Sequence, residues 1–246
     1  MSAALLAVRS LSKSFGGLRA IRDLSFDLAP GEVLGLIGPN GAGKTTAFNL
    51  ISGFLVPDEG DVVFDGRRLV GLKPHAVCQA GLARTFQIVR PFPRLSVLDN
   101  VKIGALGRHP HMAAAAEQAR AVIARVGLED KMHAAASGLT LPERKRLELA
   151  RALATEPRLL LLDEVMAGLN PTEIGAILGL IEGINRSGVS ILLIEHNMRA
   201  VMSLSHRIVV ISFGEKIAEG PPASVANHPR VVEAYLGDAY VHAPQA

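Results

Sequence analysis

The sequence predicts an α/β fold: a mostly parallel sheet core covered by helices, with an N-terminal antiparallel β subdomain and a helical insertion. Three observations carry this. Short apolar runs, EVLGLIG, RLLLLD and VSILLIE, alternate with longer amphipathic stretches, the pattern of parallel strands buried on both faces by crossover helices. The first thirty residues instead alternate apolar and polar, as in LLAVRSL and IRDLSFDL, which suits antiparallel strands. From about residue 90 to 138 the apolar runs give way to alanine-rich helical spacing.

Taken in order, Gly16-Gly17 is the turn between the first two strands. EVLGLIG is a strand ending in a glycine-rich loop, and KTTAFNLIS continues as a helix. GDVVFDGRRL is an alternating strand with Asp65-Gly66 as its turn signal. In the insertion, Ala119, Val122, Ile123 and Val126 share one helical face, and Gly127 closes the helix. The α/β pattern then resumes with a helix from about Glu143, strand RLLLLD, helix PTEIGAILGLIEGIN, strand VSILLIE, helix MRAVMSLS and strand RIVVIS. GEKIAEG reads as a small hairpin and VVEAYLG as a short terminal helix. No linker separates independent domains, so residues 1–246 are expected to form one domain. Its core comprises 1–89 and 139–246, and its helical subdomain 90–138.

Composition narrows the function. Of 246 residues, 49% are hydrophobic and 20% charged, enough to bury a core and too balanced for disorder. The apolar runs are too short to span a bilayer, and no N-terminal stretch has the layout of a signal peptide. With a single cysteine, Cys78, no internal disulfide can form. A chain kept in the cytoplasm is expected. The net charge is +3, aromatics make up 4%, and ERKR is the densest basic run, read as a solvated helix face. A nucleic-acid partner is therefore not expected. His109, His111 and His133 have no cysteines or acids at metal spacing beside them.

GPNGAGKT, Gly38 to Thr45, fills every fixed position of G-x-x-x-x-G-K-[ST] between a strand and a helix. Gly38, Pro39, Asn40, Gly41, Ala42 and Gly43 can curl so that backbone N–H groups meet phosphate oxygens, with the helix dipole behind them. Lys44 can reach the β- and γ-phosphates, Thr45 can offer a hydroxyl to Mg²⁺, and Thr46 continues the helix start. The fold is thus that of a P-loop NTPase. No N-K-x-D element for guanine is present.

LLLLDE places Asp163 and Glu164 at the end of a buried strand, where open parallel sheets hold their ligands. Asp163 would hold Mg²⁺ through water, and Glu164 would act on the attacking water. Gln87 in ARTFQ precedes the insertion, His196 in LLIEHN ends the next strand, and LTLPERKRLELARAL leads into the acid pair. With this set in this order, the chain resembles an ABC-transporter ATPase subunit along nearly its whole length. The resemblance implies that Gln87 senses Mg²⁺ and the γ-phosphate, and that His196 contacts the γ-phosphate. It implies that Phe15 stacks on adenine, that Ala20 lies near the ribose, and that AGLN, Ala167 to Asn170, crosses to a second subunit. SKSFGGLRAIRDLSF, DEVMAGLNPTE, IEHNM and VVEAYLG are similar to the ATPases of branched-chain amino-acid importers. The lipopolysaccharide-exporter ATPase shares several of these features and stands as the alternative.

The chain departs from the family at its signature turn. Where L-S-G-G-Q is usual, Leu139, Thr140, Leu141, Pro142 and Glu143 stand. In the family this turn closes over ATP held by the other subunit. Thr140 keeps a hydroxyl, whereas Pro142 removes a backbone donor. Thr140 and Glu143 also have the spacing of a helix capping box. Val165 and Asn170 replace a common proline and a common aspartate. The resemblance implies an ATP- and Mg²⁺-dependent ATPase that dimerises head to tail with an identical or paralogous subunit. Its further partners would be integral membrane permease subunits and, indirectly, a periplasmic or extracellular solute-binding protein. It would work at the cytoplasmic face of the membrane. The rivals are a soluble ABC ATPase acting on ribosomes or DNA and a regulatory subunit that scarcely hydrolyses.

Overall fold

The structure, a computed structural model, describes residues 4–85 and 91–241. It opens with β1 (Leu6–Phe15) and β2 (Leu18–Leu28), turning at Gly16-Gly17. Next come β3 (Val33–Ile37), buried along its length, and α1 (Lys44–Ile51). β4 (Glu59–Phe64) and β5 (Arg67–Arg68) turn at Asp65-Gly66, both in left-handed conformation as a two-residue hairpin requires. α2 (Pro74–Gln79) and β6 (Leu82–Arg84) follow, then α3 (Val97–Ala105) and α4 (Met112–Val126). The chain continues through α5 (Leu141–Leu153), β7 (Leu159–Asp163), α6 (Pro171–Arg186) and β8 (Ser190–Ile194). It closes with α7 (Met198–Leu204), β9 (Arg207–Ser212), β10 (Glu215–Gly220), α8 (Pro222–Ala226) and α9 (Pro229–Val241).

These elements form two compact units, Met1–Pro74 with Ser190–Ala246, and His75–Val189. In the first, β2, β1, β4 and β5 lie in that order as an antiparallel sheet. Apart from it, β3 runs parallel to β8 on one side and β9 on the other. Every residue of β3 and β8 is buried, as expected of strands covered on both faces. Arg207 of β9 ties this region together. It pairs with Glu32 at 2.9 Å and with Glu219, and it donates to the Asp27 carbonyl at 2.6 Å. Glu32 beside the guanidinium raises the Arg207 pKa above its ordinary value.

GEKIAEG does not fold into a hairpin of its own. Glu215–Gly220 is a single strand antiparallel to β9. The turn falls one step earlier, at Phe213-Gly214, where both residues have positive φ. The long apolar strand RIVVIS offers more ladder and more buried surface than a hairpin within so short a segment.

In the second unit β6 runs parallel to β7. The insertion is built from α3 and α4, which pack with α5. Buried Asn100 fixes the approach to α3 by donating to the carbonyls of Phe92, Leu95 and Ser96 and accepting from the Phe92 N–H. The Ser96 hydroxyl caps α3 by accepting the Asp99 N–H at 3.0 Å. Gly127 ends α4 in the left-handed conformation, as its position in the sequence predicts. Among the described residues no helix is long and apolar enough to cross a membrane.

Candidate nucleotide site

The phosphate loop belongs to the first unit and runs from the end of β3 into α1. Its glycines are set by close backbone approaches. A Cβ on Gly38 would lie 2.0 Å from the Ile211 carbonyl oxygen, and one on Gly43, at φ 103°, 2.5 Å from that of Ala20. No other residue type fits either place. Gly43 is the N-cap of α1 and brings no side chain to its amides, and no acid stands in the first turn. Those amides have no acceptors within the helix, and the dipole there favours an anion. Lys44 turns back into the loop, 8% exposed, and its Nζ donates to the carbonyls of Gly38 at 2.7 Å and Pro39 at 2.9 Å. Pro39 and Thr46 are half-buried, Ala42 is buried, and Asn40, Gly41 and Thr45 are exposed.

Ala20 stands beside this loop, since its carbonyl limits Gly43. Phe15, at the end of β1, is half exposed with the Lys13 ammonium 5.8 Å from its ring centroid. His196 is exposed just past β8 and the buried Glu195. Asn197 after it caps α7 by accepting the Ala200 N–H at 3.1 Å. Gln87 lies outside the described residues.

The acid pair belongs to the second unit. Asp163 is 2% exposed, and its Oδ2 accepts from Arg84 Nη2 at 2.8 Å. Asp163 Oδ1 has no hydrogen-bond partner among the described residues. The strand end is clamped by Thr85. Its N–H donates to the Leu161 carbonyl at 2.9 Å, and its hydroxyl accepts the Asp163 N–H at 3.2 Å. Glu164 then adopts φ 50°, the left-handed region that residues with side chains rarely occupy. Its carbonyl accepts from the Ala167 N–H at 3.2 Å and from Lys145 Nζ at 3.1 Å. Asn170 caps α6. Its side chain accepts the Glu173 N–H at 3.0 Å, while Glu173 accepts the Asn170 N–H at 2.8 Å.

At the signature turn Thr140 is the N-cap of α5, and Pro142 falls in its first turn. There the missing N–H costs the helix nothing, because the first amides have no intrahelical acceptor. Glu143 Oε2 accepts both the Thr140 N–H at 2.8 Å and the Thr140 hydroxyl at 2.9 Å. The Thr140 N–H, ahead of its hydroxyl and Lys131, holds the Glu143 carboxyl below the usual carboxylate range. Its contribution to the cap is therefore complete above its unfolded pKa and lost as pH falls through the lowered folded value. Leu141 is exposed, yet its Cδ2 would lie 3.1 Å from a Cβ placed on Gly168 of the AGLN loop.

Two neighbours of the acids were not legible as such in the sequence. Arg84 ends an apolar strand, LAR, and a charge in that position was its one signal. Lys145 lies in ERKR, read as a solvated face, but it is 4% exposed and turned inward.

A strand, a glycine loop closed on an inward lysine and an anion-seeking helix start define a nucleotide-binding P-loop protein. A family model described as ABC transporter matches residues 21–167, and one described as branched-chain amino acid ATP-binding cassette transporter matches 215–241. The LivG high-affinity branched-chain amino acid transport ATP-binding protein of Salmonella typhimurium is 40% identical, over 97% of this chain and 100% of its own. BraF, with the same description, from Pseudomonas aeruginosa, is 37% identical over the same shares. A solved ATP-binding cassette of an ABC transporter in its ADP conformation has a TM-score of 0.87 at 30% identity, covering 96% of this chain and 100% of its own. The chain belongs to the ABC transporter family, as an ATP-binding, ATP-hydrolysing subunit with the ABC ATPase fold.

Proposed function

We propose that this chain hydrolyses ATP to drive import of branched-chain or related amino acids through separate integral membrane permease subunits, at the cytoplasmic face of the membrane. One observation carries the reading. A phosphate loop with an inward lysine and a helix start that carries no side-chain cap stands in a chain that aligns over 97% of its length with branched-chain amino-acid transport ATP-binding proteins. The tail match at 215–241 supports the same branch, and the lipopolysaccharide-export alternative is not favoured.

In this reading Gly38 to Thr46 cradle the triphosphate, Phe15 stacks on adenine and Ala20 borders the ribose. Mg²⁺, held by Thr45, Gln87 and, through water, Asp163, would offset charge on the β- and γ-phosphate oxygens. The buried Asp163 Oδ1 fits that role, since a buried acceptor with no donor among the described residues suits the water of a hydrated cation. Glu164 takes a proton from the water that attacks the γ-phosphorus in line with the leaving oxygen. Lys44 and His196 stabilise the charge on the transferred phosphoryl. A second ATPase subunit, identical or paralogous, would dock head to tail, with Thr140 to Glu143 facing its ATP. Residues 90–138 would serve as the helical subdomain toward the permease, and a solute-binding protein would deliver the cargo on the far side. Uptake of labelled leucine into vesicles holding this chain and its co-purified permease tests the reading. Hydrolysis with no leucine-dependent component would refute it.

The signature turn gives a separate expectation. Pro142 offers no N–H, and the Thr140 hydroxyl is engaged by Glu143. Replacing Pro142 by Gly and Glu143 by Gln returns a backbone donor and removes a carboxylate from the side facing the partner's phosphate. One charge-assisted hydrogen bond, about 1.5–3 kcal/mol, corresponds to roughly 10- to 150-fold in association. ATP-dependent dimerisation of the double variant, followed by light scattering, should tighten within that range. Unchanged association would show that the turn is not limiting.

A further inference from the structure

Lys145 carries a buried charge for which the nucleotide chemistry above has no use. A buried ammonium is sustained only where oxygens receive its protons, so where it points is informative. Its Nζ donates to the carbonyl oxygen of Glu164, 3.1 Å away, and that oxygen also closes the turn by accepting the Ala167 N–H. Glu164 itself is held at φ 50°, a conformation that persists where the surroundings over-determine it. Leu141, on the first turn of the same helix, lies where a side chain at Gly168, a few residues further along the same segment, would crowd it. Helix α5 therefore holds the Glu164–Gly168 turn through the Lys145 bond, with Leu141 of the same helix close to its far end.

We propose that Lys145 is a positioning residue for Glu164: by holding its carbonyl it keeps the left-handed turn and so aims the carboxylate. The same bond ties that residue to the signature turn, whose Thr140 lies five residues from Lys145 on one helix, about 7.5 Å at 1.5 Å per residue. A displacement of Thr140 to Glu143 as they meet the partner's ATP would thus be felt by the group that activates water in the chain's own site. This rests on the roles of Glu164 and of the signature turn stated under the proposed function.

The test uses Lys145→Met, Lys145→Arg and Glu164→Gln in the full chain. Lys145→Met should lower kcat by roughly 10- to 100-fold, with KM and Kd for ATP within about twofold of the parent. Hydrogen exchange should quicken in a peptide covering Glu164–Leu169 and stay unchanged in one covering β7. Lys145→Arg, which can still donate to the carbonyl, should recover most of the rate. Lys145→Met on top of Glu164→Gln should lose nothing further. An unchanged kcat, or exchange that quickens throughout the unit as KM rises, overturns the positioning role. If Lys145→Met does not fold, failure of a folded Lys145→Arg to keep both the rate and the local protection overturns it equally. Parental turnover in Glu164→Gln would instead sink the general-base reading itself, so the two failures are told apart.

Discussion

Replacing Glu164 by Gln is expected to cut ATP turnover by about 10²–10⁴-fold while ATP still binds. In the proposed mechanism the carboxylate takes the proton of the attacking water, and an amide of the same shape cannot accept it. That range corresponds to about 3–5 kcal/mol of transition-state stabilisation. The fold should be kept, because glutamine has the shape of glutamate and the Glu164 carbonyl still accepts from Ala167 and Lys145. The variant should therefore accumulate as an ATP-bound dimer, read by size-exclusion chromatography with and without ATP. Full turnover in the variant would assign the base elsewhere.

The second large effect falls on stability. Arg84 and Asp163 form an ion pair at 2.8 Å with side chains only 7% and 3% exposed. Breaking such a pair from one side leaves a buried charge uncompensated and costs about 3–5 kcal/mol. Set against a typical total of about 5–15 kcal/mol, Arg84→Gln should lower the urea midpoint markedly at unchanged slope. Replacing both partners with apolar residues should destabilise less than Arg84→Gln alone, which a double-mutant cycle resolves. A loss below about 1 kcal/mol would mean that water reaches the pair.

What could be read in the sequence was local. The phosphate loop lies within nine consecutive residues, Gly38 to Thr46, and its turn chemistry, lysine and helix start are covalent neighbours. The Thr140–Glu143 cap and the Gly127 stop were legible for the same reason: three-residue spacing and a left-handed terminus are properties of the backbone alone. GEKIAEG was misread because pairing is not local. A strand chooses the partner that offers the longer ladder, and β9 lay immediately before it.

By itself the sequence determined the class of this protein: a nucleoside-triphosphate-binding α/β chain with two acids after a buried strand and an altered signature turn. Only the tertiary structure decided which charges stand behind those acids. Arg84 is 79 residues from Asp163, and Lys145 is 19 from Glu164. In the sequence one was a strand-end charge and the other part of a basic run. The physical reason is that burying an arginine or a lysine is tolerable only beside an acceptor that the rest of the fold has already put in place.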